Sequence, residues 1–278
     1  MSFNYRVNKL IQQKNSLVCV GLDLDKTKFP EFIRKSKNPL FEFNKQIIDA
    51  TIDSVVAYKL NSAFYEVYGI EGWEAMHRTV EYIPEDIVAI ADAKRGDIGN
   101  TSKMYARAFF DVLGFDAITI NPYMGSDSVM PFLAEPEKGV FVLCLTSNEG
   151  AKDFQYIKSN KSCLYREIAQ KVNSWNVNNN CGLVVGATKP SELKDLRALA
   201  PELPLLIPGL GAQGGDVVSS VLNGTDGAGN MALFNSSRGI IYQSSGSDFA
   251  KAAARAAKDL CEKINSVRYI KLKGSNEQ

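Results

Sequence analysis

In the stretch Asp92-Ala93-Lys94-Arg95-Gly96-Asp97 a lysine stands between two carboxylates. Carboxylates keep an ammonium protonated and aimed. Charges of both signs set this closely read either as a structural ion pair or as part of a working site. A second lysine occurs in Tyr58-Lys59-Leu60-Asn61, two carboxylates in the segment GLDLD (Asp23, Asp25), and hydroxyl and amide groups in Thr146-Ser147-Asn148. Further along, PGLGAQGGD (208–216) can bring backbone N–H groups close to an anion, and Arg238 can grip a phosphate with two donors. The single histidine, His77, lies in the helix-like stretch GWEAMHRTVEYI and reads as a partly exposed helix residue, so the chemistry does not depend on imidazole.

These groups share an address. Eight short apolar runs rich in Val and Ile recur, at 16–22, 55–61, 87–94, 117–122, 139–147, 182–187, 204–210 and 231–238. Each is followed by a longer amphipathic stretch. Continuous apolar strands separated by helices predict a parallel sheet covered by helices. Eight units in a chain of 278 residues predict a closed (β/α)8 barrel, a TIM barrel in the α/β class. The expected organisation is a single domain over 1–270 with a frayed tail over 271–278. Helices are expected over 39–54, over 100–113 with Asn-Thr-Ser as its cap, and over the alanine-rich 247–264. The interval 148–181 is expected to hold a loop with the reach of a lid, then a helix.

In such barrels chemistry collects at the C-terminal ends of the strands, where most of the residues named above fall. Side chains alternate along a strand, so Asp92 and Lys94 share a face, as do Lys59 and Asn61 on the neighbouring strand. A set of structural ion pairs closing the barrel top is the plainer explanation. Surface pairs contribute little, however, and buried charges cost more than their pairing returns, so charges converging from several strands read as a working site.

Composition narrows the partners. Lysine and arginine total 32 against 31 aspartates and glutamates, which gives no basic field for nucleic acid. No run approaches the ~18 apolar residues of a membrane span, and residues 1–16 lack the apolar core of a signal peptide. The five cysteines are odd in number, widely spaced and without a CxxC pair; free thiols in a reducing cytoplasm, and no zinc, are expected. Gly209, Gly211 and Gly214 satisfy the GxGxxG pattern. A dinucleotide fingerprint nevertheless belongs to the first βαβ unit of an open sheet, with an acidic residue ending the next strand. Here the pattern follows the seventh run and the next one ends FNSSR, so a phosphate site is expected instead.

The segments GLDLD, YKLN, DAKRGDIGNT, Thr146-Ser147, PGLGAQGGD and SSRG together resemble the orotidine 5'-phosphate decarboxylase family, in particular its longer-chain branch. DAKRGDI is the most specific piece. The resemblance implies cofactor-free, metal-free decarboxylation of orotidine 5'-monophosphate to UMP, the last step of de novo pyrimidine nucleotide synthesis. It implies an alternating array of Lys59, Asp92, Lys94 and Asp97, with Lys94 protonating C6 of the pyrimidine. Asp97 would reach in from the other subunit of a homodimer with shared active sites. Asp23, Lys59 and Thr101 would hold ribose hydroxyls, Thr101 also from the partner, with Asn61 beside them. Ser147 would meet the pyrimidine edge. Gln213 and Arg238 would grip the phosphate next to Pro208 and Ser237. Ser237 stands where many members carry glycine, and keeps the backbone N–H. A Mg²⁺-dependent sugar-phosphate decarboxylase or aldolase of the same superfamily shares the DxKxxD pattern, but needs a carboxylate on strand two where Lys59 stands. An inactive nucleotide-binding barrel would not need the intact array. No fused phosphoribosyltransferase domain is expected, and association with orotate phosphoribosyltransferase is left open.

Overall fold

The computed structural model describes residues 1–159, 162–210 and 215–276. Eight parallel strands fall on the eight expected runs: β1 (Val18–Gly21), β2 (Ala57–Asn61), β3 (Val88–Arg95), β4 (Ala117–Ile120), β5 (Gly139–Leu145), β6 (Cys181–Val185), β7 (Leu205–Pro208) and β8 (Ala232–Ser236). They form a closed barrel in which each strand pairs with its neighbours in sequence, and β1 closes on β8 with Val18 opposite Phe234. Both faces of these strands are covered, the inner by the barrel core and the outer by helices. That is why the runs are apolar throughout rather than alternating.

Helix α1 (Phe3–Lys14) precedes the barrel and plugs its N-terminal end. Phe3, Val7, Leu10 and Ile11 are buried, and the ring of Phe3 meets that of Phe141 edge-on at 5.9 Å. Gly139 makes room for this plug: a Cβ there would lie 2.3 Å from the Phe3 ring. Around the barrel run α2 (Pro39–Thr51), α3 (Gly69–Tyr82), α4 (Gly99–Arg107), α5 (Leu164–Trp175), α6 (Pro190–Leu199), α7 (Val217–Gly224) and α8 (Phe249–Asn276). After β4 there are only short turns of helix, Ser126–Val129 and Met130–Leu133, so the helical ring is thin at that point.

The structure adds detail to the expectations at three places. The helix after β3 starts at Gly99 rather than Asn100. Its cap position is Ile98, with no side-chain cap, and the Ser102 hydroxyl instead shares its single hydrogen between the carbonyls of Asp97 and Ser128. The loop after β5 contains a turn of helix at Ala151–Phe154 and a small antiparallel pairing of Lys158–Ser159 with Ser162–Cys163, and the expected helix follows as α5. The chain beyond Ile270 continues α8 to Asn276, with 277–278 outside the described residues, and Lys271 Nζ donates to the carbonyls of Leu222 and Thr225 at 2.9 Å.

The plug at one end and the polar groups at the other separate stability from chemistry. Phe3→Ala removes a fully buried ring and should destabilise the fold by about 3–5 kcal/mol in denaturant unfolding, with turnover per folded molecule unchanged.

Candidate active site

The polar end of the barrel is organised by an irregularity in β3. Its pairing with β4 runs Ile90 to Ala117 and Ala91 to Ile118, then shifts and resumes only at Arg95 opposite Ile120. Within that bulge Lys94 adopts a left-handed backbone, φ 48°. For a residue with a side chain this conformation costs on the order of 1–3 kcal/mol and persists only where its surroundings hold it. The Lys94 N–H, displaced from the ladder, donates to the Thr119 hydroxyl at 3.0 Å, and that hydroxyl donates to Asp92 Oδ1 at 3.0 Å.

Two lysines converge on Asp92. Lys94 Nζ donates to Oδ1 at 2.6 Å and Lys59 Nζ to Oδ2 at 2.8 Å. Strand register sets this up, since Asn61 of β2 lies opposite Asp92 of β3, and Gly21 of β1 opposite Lys59. Lys59 also lies 3.8 Å from Asp23 Oδ1. The lysines differ in access: the side chain of Lys59 is 4% exposed and that of Lys94 46% exposed. Lys59 is therefore the buried counter-charge, and Lys94 is free to face a ligand.

Burial opposes charge on both members of the inner pair, and the pairing overrides it. For Asp92, burial raises the carboxyl, but Lys59 and then Lys94 hold it far below the usual carboxylate range. For Lys59, burial lowers the ammonium, but Asp92 and Asp23 hold it well above the usual lysine range. The Cys19 thiol behind Lys59 is pushed up to about 12, by burial first and against the pull of Lys59, so it stays a neutral, inert thiol.

A cavity of about 610 Å³ opens over this array. Its floor is apolar (Leu143, Val184, Leu206), and its rim carries Asp23, Asn61, Ser147, Pro208, Ser237 and Arg238 beside Lys59, Asp92 and Lys94. Asp23 Oδ1 is buried there without a hydrogen-bond partner, an acceptor left over for a ligand's hydroxyl. Ser237 closes against β1 because position 21 is glycine; a Cβ there would come within 1.8 Å of the Ser237 Oγ. Arg238 is exposed at the start of the short helix Arg238–Ile241. Gly209 and Leu210 line the same wall. The two flanks of the loop that follows meet where the Gly215 N–H donates to the Gly209 carbonyl at 3.2 Å. Gln213 lies outside the described residues.

Nine of the expected site residues thus surround one cavity. Asp97 and Thr101 do not line it. Asp97 is partly exposed and accepts from the Ile98 N–H at 2.7 Å, while Thr101 is exposed on α4. Three supporting residues are not singled out by the sequence. Thr119 is one hydroxyl inside an apolar run, a faint signal. Gln155 fastens the end of β5, taking the Thr146 N–H on its Oε1 and giving its Nε2 hydrogen to the Thr146 hydroxyl, both at 2.8 Å. Tyr242 pins the end of β1: its hydroxyl accepts from the Asp25 N–H at 2.7 Å and donates to the Asp23 carbonyl at 2.9 Å. Nothing in their neighbourhoods marks the last two. Among the described residues, no group of three or more His, Cys, Asp or Glu could hold a metal ion.

This fold and this array define a class of barrel enzyme, and comparison with known proteins places it. A family model described as "Orotidine 5'-phosphate decarboxylase / HUMPS family" matches residues 16–256, and the chain belongs to that family. An orotidine 5'-phosphate decarboxylase of Dehalococcoides mccartyi is 49% identical over 272 residues, covering 96% of this chain and 99% of that protein. The solved structure of Leishmania donovani OMP decarboxylase has 41% identity and a TM-score of 0.85, over 97% of this chain and 100% of that one. The UMP synthase of the same organism has 42% identity and a TM-score of 0.86, with 57% of its length covered.

The charge pairing has a pH signature. The Asp92 carboxyl is depressed in the folded state, so its contribution is fully present above the unfolded value near 3.9 and lost as pH falls through the folded one. Lys59 is raised, so its contribution is present below about 10.4 and lost only as pH rises through its folded value. Asp92→Asn leaves Lys59 without its main partner and should lower stability by about 3 kcal/mol at pH 7. Denaturant unfolding from pH 7 to pH 3 should show that gap constant at first and narrowing below about pH 4. A gap independent of pH would mean that Asp92 is not the ionised partner.

Proposed function

We propose that this chain decarboxylates orotidine 5'-monophosphate to UMP, without metal or organic cofactor, as a step of pyrimidine nucleotide synthesis. The observation that carries the reading is the Lys59–Asp92–Lys94 array under a cavity of about 610 Å³, in a chain of this family. On this reading the phosphate lies against Arg238, Ser237, Pro208 and Gln213. Asp23, Lys59 and Asn61 hold the ribose, and the partner subunit supplies Thr101. Ser147 faces the pyrimidine edge. The C6–carboxylate bond breaks, its electron pair stays on C6 and CO₂ leaves. Lys94 then gives its proton to C6, and the resulting amine recovers one from solvent. Its ammonium is the fixed cation that stabilises the developing carbanion in place of an electron sink. Asp92 keeps that ammonium aimed and lies near the departing carboxylate.

The Mg²⁺-dependent sugar-phosphate reading is weaker, because strand two presents Lys59 to Asp92 instead of a carboxylate to a metal. Five free cysteines suit a reducing cytoplasm. Among the described residues, no helix is long and apolar enough to cross a membrane. The resemblance to a longer UMP synthase supports association with orotate phosphoribosyltransferase.

We also propose a homodimer with shared sites. Asp97 and Thr101 do not line their own cavity and lie on segments that carry an exposed apolar surface, with Ile98 and Met104. Val67, Ile70 and Trp73 adjoin them: the Arg95 guanidinium pairs with Glu66 and stacks on Phe109, which also meets Trp73 at 6.5 Å. Ile70 is 79% exposed and Val67 72%, a surface that calls for cover.

An ultraviolet assay with orotidine 5'-monophosphate tests the activity. Turnover should survive EDTA, and Lys94→Ala should lose about 100- to 10,000-fold while still binding UMP. A tenth of wild-type turnover in Lys94→Ala would overturn its role, and EDTA inhibition reversed by Mg²⁺ would favour the sugar-phosphate reading. Mixing inactive Lys59→Ala with inactive Asp97→Asn tests the sharing. With random subunit exchange half the dimers are mixed and each has one intact site, so about a quarter of wild-type activity should return. A mixture that stays dead despite proven exchange puts Asp97 in its own chain's site.

A further inference from the structure

The buried hydroxyl of Thr119 touches both the carboxylate of the array and the backbone of its proton donor. It accepts the Lys94 N–H and donates its single hydrogen to Asp92 Oδ1, both at 3.0 Å, and it is 0% exposed. We propose that Thr119 is a positioning residue for decarboxylation, fixing Lys94 and Asp92 in register with each other; this rests on the reaction proposed above.

Three observations support the role. The bulge between Ala91 and Arg95 removes the Lys94 amide from the strand ladder, and a buried N–H needs an acceptor, which the Thr119 hydroxyl supplies. Lys94 has a left-handed backbone, so its conformation depends on contacts outside its own residue. Asp92 Oδ1 takes hydrogen bonds from Lys94 Nζ at 2.6 Å and from Thr119, and the second fixes the plane of the carboxylate so that the first points Nζ one way. A hydroxyl can do both tasks at once because it both donates and accepts. A valine of nearly the same shape can do neither. Thr119 itself sits on β4, held opposite Phe141 of β5, so a rigid strand carries it.

The experiment compares wild-type enzyme with Thr119→Val, Thr119→Ala and Thr119→Ser in steady-state decarboxylation, with UMP binding and thermal unfolding measured on the same samples. Thr119→Val and Thr119→Ala should lower kcat by about 10- to 100-fold, the scale of a small misplacement of a reacting group. KM and UMP affinity should stay within about threefold, because phosphate and ribose contacts lie elsewhere, and Thr119→Ser should recover kcat to within about threefold of wild type. A structural role alone would lower the melting temperature without separating kcat from UMP binding and without rescue by serine. Should Thr119→Val fail to fold, the alanine and serine variants decide: they share the missing methyl and differ only in the hydroxyl. Equal kcat in those two, or a loss that falls on KM, overturns the positioning role while leaving the activity intact. A wild-type protein that does not decarboxylate orotidine 5'-monophosphate would overturn both.

Discussion

One carboxylate is shared by two ammoniums at the mouth of this barrel, and most of the local architecture serves that arrangement. Asp92 receives Lys59 on one oxygen and Lys94 on the other. Neither Lys59 nor Asp92 is tolerable alone at its depth, because desolvation would drive each to its neutral form. Together they stay charged, and the outer lysine inherits a fixed anion to lean on. The closed barrel brings β2 and β3 into a register that makes the pair unavoidable, with Asn61 opposite Asp92. The aliphatic floor of the cavity then keeps the dielectric low where those charges act.

The rest of the molecule divides labour along the barrel axis. At the N-terminal end, α1 fills the opening with Phe3, Val7 and Ile11, and Arg6 pairs with Asp116 at 2.6 Å. At the other end the strands terminate in polar groups, and three of those ends are tied by a side chain from elsewhere. Tyr242 ties β1, Thr119 ties the bulge of β3 and Gln155 ties β5. Rigid strands with pinned ends are how a site built from many loops keeps its geometry.

Most of the fold was legible in the sequence because a parallel barrel writes itself as eight apolar runs, and buried strands tolerate little else. The residues around the cavity were legible for a related reason: charges at the ends of apolar strands stand out, as Lys59 and Asp92 do. The grouping of Asp92 with Lys94 follows from strand alternation, yet the structure reaches it through a bulge and a left-handed residue, which no periodicity encodes. Helix ends were less legible. Asn-Thr-Ser offers cap chemistry at 100–102, but the turn out of β3 places Ile98 at the cap position. The pinning residues were invisible because a glutamine in a loop or a tyrosine near a helix gains meaning only from what it touches.

The left-handed backbone at Lys94 bears on how this position can evolve. Glycine would suit the conformation best, since it alone lacks the Cβ that resists a positive φ. Glycine would also delete the ammonium. Selection for foldability and selection for turnover therefore pull opposite ways at a single codon, and a lineage released from the need for turnover should drift there first. Chains that keep lysine at this bulge carry a mark of continued use, legible in the genome without any assay.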